Sequence, residues 1–338
     1  MRPPAGLSAA PQGLLTLAQA RESPCATCAS SPCCTYVGIG KFELDTLQQV
    51  DYAAYLLNFD RIELGLHASG RWTIFYRAPC RFLDRESRAC TIHNQPNQPR
   101  VCVNYNPFNC WYRRTEQASV SQEFLRVDAA RLKFMAERMT FDANRNVVSV
   151  PEWAEMMAGF AGLPMPPLGE LREVPEEARP APSGGLPTLQ LARAGDRDRC
   201  GSCAAYCCTY LVLPQEPPAT LADLDHFRYL LGFAGLELGI TDDAWSVVVA
   251  SRCRHLAGQR CAAFGQPERP LRCTYYDEWK CSYQPRFSGD GTAGFARVQL
   301  QQFDALLDCF GLDANGNIVR GPSVQELRQS LSRGNHVR

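Results

Sequence analysis

The 338-residue chain has no surplus of charge of either sign: 35 Lys and Arg are balanced by 35 Asp and Glu. That balance removes the bulk electrostatic argument for nucleic acid, and no basic run restores it, so no nucleic-acid partner is expected. Long apolar runs are missing as well. Nothing approaches the ~18 apolar residues of a membrane-spanning helix. The apolar patch at Leu14 to Leu17 is too short and too polar in its surroundings for a secretory leader. No membrane association is expected, and the address that follows is cytoplasmic. There is no P-loop and no CxxxCxxC radical motif. One GxGxxG run, Gly289 to Gly294, lacks the strand a dinucleotide site needs before it and reads as a loop.

Cysteine, by contrast, is abundant and ordered. Cys25, Cys28, Cys33 and Cys34 form one cluster, followed by Cys80, Cys90, Cys102 and Cys110. The order repeats as Cys200, Cys203, Cys207 and Cys208, then Cys253, Cys261, Cys273 and Cys281. The spacing between the copies is 175 residues at Cys25/Cys200, 173 at Cys80/Cys253 and 171 from Cys90/Cys261 onward. Sixteen of seventeen cysteines therefore belong to two copies of one pattern, which identifies an internal duplication. Residues between the cysteines agree too: Tyr55 to Leu66 (YLLNFDRIELGL) answers Tyr229 to Ile240 (YLLGFAGLELGI), and DANRNVV from Asp142 answers DANGNIV from Asp313.

The organisation read from this pattern is a lead-in at 1–22, a cysteine module at 23–160, a Pro-rich linker at 161–195, a second module at 196–331 and a tail at 332–338. Seven prolines between Leu163 and Pro187 mark the linker. The fold class expected is α+β: two homologous small modules with long cysteine-bearing loops organised around metal centres. Helices are expected over Leu44 to Phe59 with Asp45 as N-cap, over Glu123 to Met139, from Thr220 to Phe233 and over Phe295 to Phe310. Strands are expected from Cys34, over Arg71 to Tyr76, Cys208 to Leu213 and Trp245 to Ala250. DANRN and DANGN read as Asx turns rather than calcium loops, since neither has an acidic residue at the closing position.

Without a leader, thiols persist as metal ligands or nucleophiles, while a disulfide scaffold is the alternative for an oxidising setting. A C-x2-C turn brings two sulfurs to one side, and two further thiolates complete a tetrahedral site for Zn²⁺ or an iron–sulfur cluster. Eight thiols per half allow two four-thiolate centres, or one with spare cysteines. If the adjacent pairs Cys33-Cys34 and Cys207-Cys208 are extended, neighbouring sulfurs point to opposite faces and serve separate centres; a bridged binuclear site would use both. His93 stands opposite Phe264, His255 opposite Phe82 and His226 opposite Tyr52, so the shared ligand set is cysteine alone. Cys309 stands opposite Arg138 and reads as a small packing residue. Arg81 and Arg254 follow a cysteine in each copy and are candidate partners for an anionic thiolate site. Tyr105, Trp111 and Tyr112, with Tyr276, Trp279 and Tyr283, are candidates to shield a cluster or simply to pack.

At these residues the chain resembles the YkgJ-type cysteine-cluster proteins, described as zinc- or iron-chelating and named for a CxxCxxCC pattern. The clusters here are wider, with four residues between Cys28 and Cys33 and three between Cys203 and Cys207. The family's C-x-F-L element is matched by Cys80-Arg-Phe-Leu83. Its R-P-x-x-C element is matched by Arg269-Pro270-Leu-Arg-Cys273 and altered to Gln98-Pro99-Arg-Val-Cys102 in the first copy. Flagellin lysine methylases look like distant relatives, and that resemblance implies an iron–sulfur centre and a protein-modifying role.

The function expected is a metal-binding cysteine-cluster protein carrying iron–sulfur clusters, or alternatively zinc, for electron relay or metal handling. The sixteen paired cysteines are the expected ligands and metal ions the expected partners. Two alternatives stand beside it: an iron–sulfur enzyme that modifies a protein or peptide, and a zinc-stabilised interaction module. A polar pocket between the halves would favour the enzyme.

Overall fold

Tyr36–Phe42 (β1) follows the first cysteine pair directly, and its aromatic and β-branched residues suit a strand buried on both faces. Val37 and Ile39 enter the main core, whereas Tyr36 stacks on Phe75 on the opposite face, as a period of two requires. The structure, a computed structural model, describes residue 28 and residues 31–93, 95–112, 121–166, 168, 203–276, 280–287 and 294–334. The lead-in, most of the linker, and Gly289 and Gly291 of the GxGxxG run lie outside the described residues.

Thr46 caps Leu47–Leu56 (α1) in a reciprocal box with Gln49. The helix is thus shorter than expected, and Thr46 replaces Asp45 as the cap. Ile62–His67 (β2) and Trp72–Arg77 (β3) pair as a hairpin, and Phe124–Val127 (β4) adds to β2, giving an antiparallel sheet of order β1-β3-β2-β4. The continuous helix expected over Glu123 to Met139 is corrected here. Phe124 to Val127 pair along β2, and the helix Ala129–Ala136 (α3) starts where Asp128 accepts the Arg131 N–H. Between β3 and β4 along the chain comes Arg100–Val103 (α2), a single turn carrying Cys102. After α3 come Thr140–Phe141 (β5), Val147–Ser149 (β6) and Trp153–Ala161 (α4). The β5–β6 turn is made by Asp142, whose carboxylate accepts from the Asn144 and Asn146 N–H groups and the Asn146 side chain.

The second half runs Tyr206–Thr209 (α5), Tyr210–Gln215 (β7), Leu221–Leu231 (α6), Leu236–Ile240 (β8) and Trp245–Ala250 (β9). The hairpin Leu256–Ala257 (β10) with Arg260–Cys261 (β11) follows, then Leu271–Thr274 (α7) and Tyr283–Phe287 (α8). Ala296–Val298 (β12), Phe303–Leu307 (α9), Gly311–Leu312 (β13), Ile318–Arg320 (β14) and Val324–Gly334 (α10) complete it. Its sheet, β12-β8-β9-β7, has the strand order of the first when β7, β9, β8 and β12 stand for β1, β3, β2 and β4. The helix expected over Phe295 to Phe310 is corrected for the same reason as before: Ala296 to Val298 pair with β8, leaving α9 as the helical remainder.

Helices and antiparallel sheets thus make an α+β architecture. One apolar core runs through both halves, from Val37 and Leu64 to Leu238 and Val298. Across that junction α1 lies against α7, and α6 against α2. Among the described residues no helix is long and apolar enough to cross a membrane.

Candidate metal centres

The first cysteine pair sits in a 3-10 turn, Pro32–Cys34, entered from Ser31 in the left-handed region at φ 43°. The second sits in α5, entered from Ala205 at φ 54°. Neither pair is extended. In the first, the Sγ atoms of Cys33 and Cys34 are 4.0 Å apart. In the second, Cys208 donates to Cys207, which is lowered to about 7, while Cys208 is held far above the ordinary thiol range by that bond and by burial. The condition for opposite-facing sulfurs, an extended pair, is therefore not met, because each pair sits in a helical turn.

Distant stretches supply the rest of each set. Cys34 is raised by its hydrogen bond with Cys33, by burial, and by the nearby sulfurs of Cys80 and Cys102. Burial raises Cys80 to about 11, with Cys90 and Cys33 adding to it, and raises Cys102 to about 12, with Cys80, Cys33 and Cys90 adding. In the second half burial raises Cys273 to about 12, helped by Cys207, Cys253 and Cys261. Cys253 is raised by burial and Cys261, and Cys203 by burial with Cys207 and Cys281 contributing. Cys110 joins the first set through Tyr105, whose hydroxyl donates to its Sγ at 3.0 Å. Cys28 is placed by Ser31, which donates to its carbonyl at 3.4 Å. Cys25 and Cys200 lie outside the described residues.

Among the described cysteines none is joined to another by a disulfide. Among the described residues, no three of Cys, His, Asp and Glu stand in ready-made metal-binding geometry. The sulfurs of each half are thus neighbours, not a closed shell, and the first cysteine of each C-x2-C pair is among those not described.

Charge and aromatic groups surround both sets. Arg81 opposes the rise at Cys80 and Arg254 the rise at Cys253, as their positions after a cysteine suggest. Arg269 opposes the rise at Cys273 and adds to the lowering of Cys207. Tyr105 and Tyr276 lie against Cys110 and Cys281 and are raised by burial and by those sulfurs. Trp111 instead packs on the outer face of the first sheet, parallel to Phe75 with ring centroids 6.0 Å apart. Trp279 lies outside the described residues. His93 and His226 are exposed, and Cys309 packs on the core and donates to the Ala305 carbonyl at 3.2 Å.

Sequence reasoning missed the groups that cross between halves. Tyr229 on α6 donates to the Cys33 carbonyl at 3.4 Å. Asp225 on α6 accepts from the Arg100 N–H at 2.7 Å, and Asp51 on α1 accepts from Leu271 and Arg272 N–H at 3.0 and 3.3 Å. The signal was present: Asp51 and Tyr55 match Asp225 and Tyr229 in the two YLL segments.

A cleft of about 540 Å³ opens where α1 meets α7, lined by Thr46, Asp51, Tyr52, Arg145, Arg272 and Tyr275. Arg272 lies over the rings of Tyr52 and Tyr55, and Tyr275 is 81 % exposed. Comparison with protein-family models, curated proteins and solved structures found no match.

Proposed function

We propose that the chain is a metal-binding protein of the YkgJ type, made of two homologous modules, residues 23–160 and 196–331, each holding a metal centre on cysteine ligands. The setting is reducing and cytoplasmic. The favoured cargo is an iron–sulfur cluster used for electron relay or metal handling, with Zn²⁺ as the alternative. The observation that supports this reading most is the tie between each cysteine pair and a distant cysteine, made twice. The Cys80 N–H donates to the Cys34 carbonyl at 2.7 Å and the Cys253 N–H to the Cys208 carbonyl at 2.8 Å, so that five sulfurs of each half lie near enough to influence one another. Cys33, Cys34, Cys80, Cys90 and Cys102 form one set, and Cys207, Cys208, Cys253, Cys261 and Cys273 the other.

The donor chemistry fits such a cargo. Thiols crowded together cannot all ionise at once, and a bound cation removes that obstacle by stabilising every thiolate. These residues would hold the centre, with Cys25, Cys28, Cys110 and their counterparts Cys200, Cys203 and Cys281 completing the supply. A cluster would bring one-electron chemistry; zinc would bring a cross-link. The chain's own part is to hold the sulfurs together, to place Arg81, Arg254 and Arg269 beside them, and to limit water through the surrounding tyrosines.

Anaerobic purification with iron, acid-labile sulfide and zinc analysis tests the reading. Brown protein that bleaches in air, with iron and sulfide in both halves, is the expected result. Colourless protein with stoichiometric zinc would remove the cluster, and protein without either metal would remove the metal reading altogether.

The cleft between α1 and α7 carries a second reading, an iron–sulfur enzyme acting on a protein or peptide, since charged and aromatic side chains from both halves, among them Asp51, Tyr52, Arg272 and Tyr275, line it. Metal-loaded protein should then retain peptides from a random pool, and Tyr275→Ala should lose them without losing metal.

A further inference from the structure

Cys102 and Cys273 are each the third residue of a single helical turn, α2 and α7. A turn of this length does not hold itself together, because nucleation costs more than one hydrogen bond returns. Each is preceded by proline, Pro99 or Pro270, and neither has a capping side chain of its own. The missing acceptor comes from the other half. Asp225 takes the first N–H of the Cys102 turn at 2.7 Å, and Asp51 takes the first two of the Cys273 turn at 3.0 and 3.3 Å. The arrangement is reciprocal, and the two carboxylates occupy matching positions on α6 and α1.

Further contacts follow the same exchange. Tyr229 of the second half reaches the Cys33 carbonyl, and Arg272, beside Cys273, lies over Tyr52 and Tyr55 of the first. We infer that each thiol set is assembled in trans: Asp225 is a positioning residue for the first set and Asp51 for the second, so neither half completes its own site. For metal this inference rests on the proposed function; for the placement of the thiols it does not.

The test uses full-length, reduced, metal-free protein and site-resolved maleimide labelling read by peptide mass spectrometry. Asp225→Ala should raise the labelling rate of Cys102 about fivefold, the size expected for a lost cap, and leave Cys273 unchanged. Asp51→Ala should do the reverse. Asp225→Asn and Asp51→Asn keep an acceptor oxygen without the charge and should label like the parent. Faster labelling in the half that carries the substitution, equal change in both halves, or Asn variants that behave like Ala would each overturn the inference. In metal-loaded protein Asp225→Ala should lower the metal retained by the first set before the second. If the parent retains no metal, the proposed function fails while the labelling result still decides the positioning role.

Discussion

Cys80 faces Phe233 across an antiparallel bridge, and the pairing of Phe59 with Cys253 repeats it with the halves exchanged. Around these bridges Arg81 donates its N–H to the Gly232 carbonyl, and Arg254 donates its own to Asn58, each at 2.7 Å. The loops that carry the sulfurs are therefore also the seam between the halves. Disturbing the seam should reach the thiol sets, and disturbing the sets should reach the seam.

Gly235 gives a direct test of the seam. Its φ of 88° disfavours any side chain, and a Cβ there would fall 2.5 Å from the Tyr76 hydroxyl oxygen. That hydroxyl donates across the seam to the Ala234 carbonyl at 2.9 Å. Gly235→Ala should destabilise the protein by about 2 kcal/mol, from backbone strain and the displaced hydrogen bond together. Urea unfolding of both proteins checks this, and an unchanged midpoint would contradict it.

The ion pairs behind each sheet predict an asymmetry. Glu63 accepts from Arg126 through both oxygens and from Arg77 at 2.7 Å, with Arg126 only 2 % exposed. Its counterpart Glu237 accepts from Arg297, which is 28 % exposed, and from Gln299. Removing one partner of a buried pair costs about 3–5 kcal/mol, because the other charge is left without compensation. Glu63→Ala should show a loss of that order, and Glu237→Ala a clearly smaller one, since water reaches Arg297. Comparable losses in thermal or urea unfolding would contradict the account.

Much of this was legible in the chain before folding. The Trp245–Ala250 strand, the Thr220 cap and the Asp142 and Asp313 turns all follow from local chemistry. What was not legible depends on partners far away in sequence. Phe124 to Val127 has helix-compatible spacing and becomes a strand only because β2 needs an edge partner. Cys207 and Cys208 look continuous with the strand after them, yet the left-handed Ala205 turns them into α5. Asp51 and Asp225 look like ordinary helix-surface carboxylates until the opposite half supplies the N–H groups they hold.

Serine substitutions separate the ligand candidates from the remaining thiol. Cys28→Ser and Cys203→Ser should each remove part of the metal content, read by elemental analysis after anaerobic purification, because each deletes one arm of a C-x2-C pair. Cys309→Ser should remove none, since its sulfur already donates to the Ala305 carbonyl and packs on the core. Full loading in the first two variants would break the ligand assignment.

Alkaline pH tests the packing of the sulfurs without reference to metal. Cys80 stands at about 11 and Cys102 and Cys273 at about 12, against an ordinary thiol value of 9.0, because burial and neighbouring sulfurs disfavour the thiolate. An acid raised in this way binds its proton more tightly in the folded chain than in the unfolded one. Its contribution to stability is whole below pH 9 and is lost as pH climbs through 11 to 12. Metal-free protein should accordingly melt at progressively lower temperature above about pH 9, a window set by those same three thiols. Metal loading should run the other way, tightening as pH rises and failing on acidification, because each ligand gives up its proton on binding. Thermal unfolding of metal-free protein from pH 8 to 11, beside metal retention from pH 8 down to 5, distinguishes the two. Metal-free protein that grows more stable above pH 9 would show that these thiols are not pressed together as described.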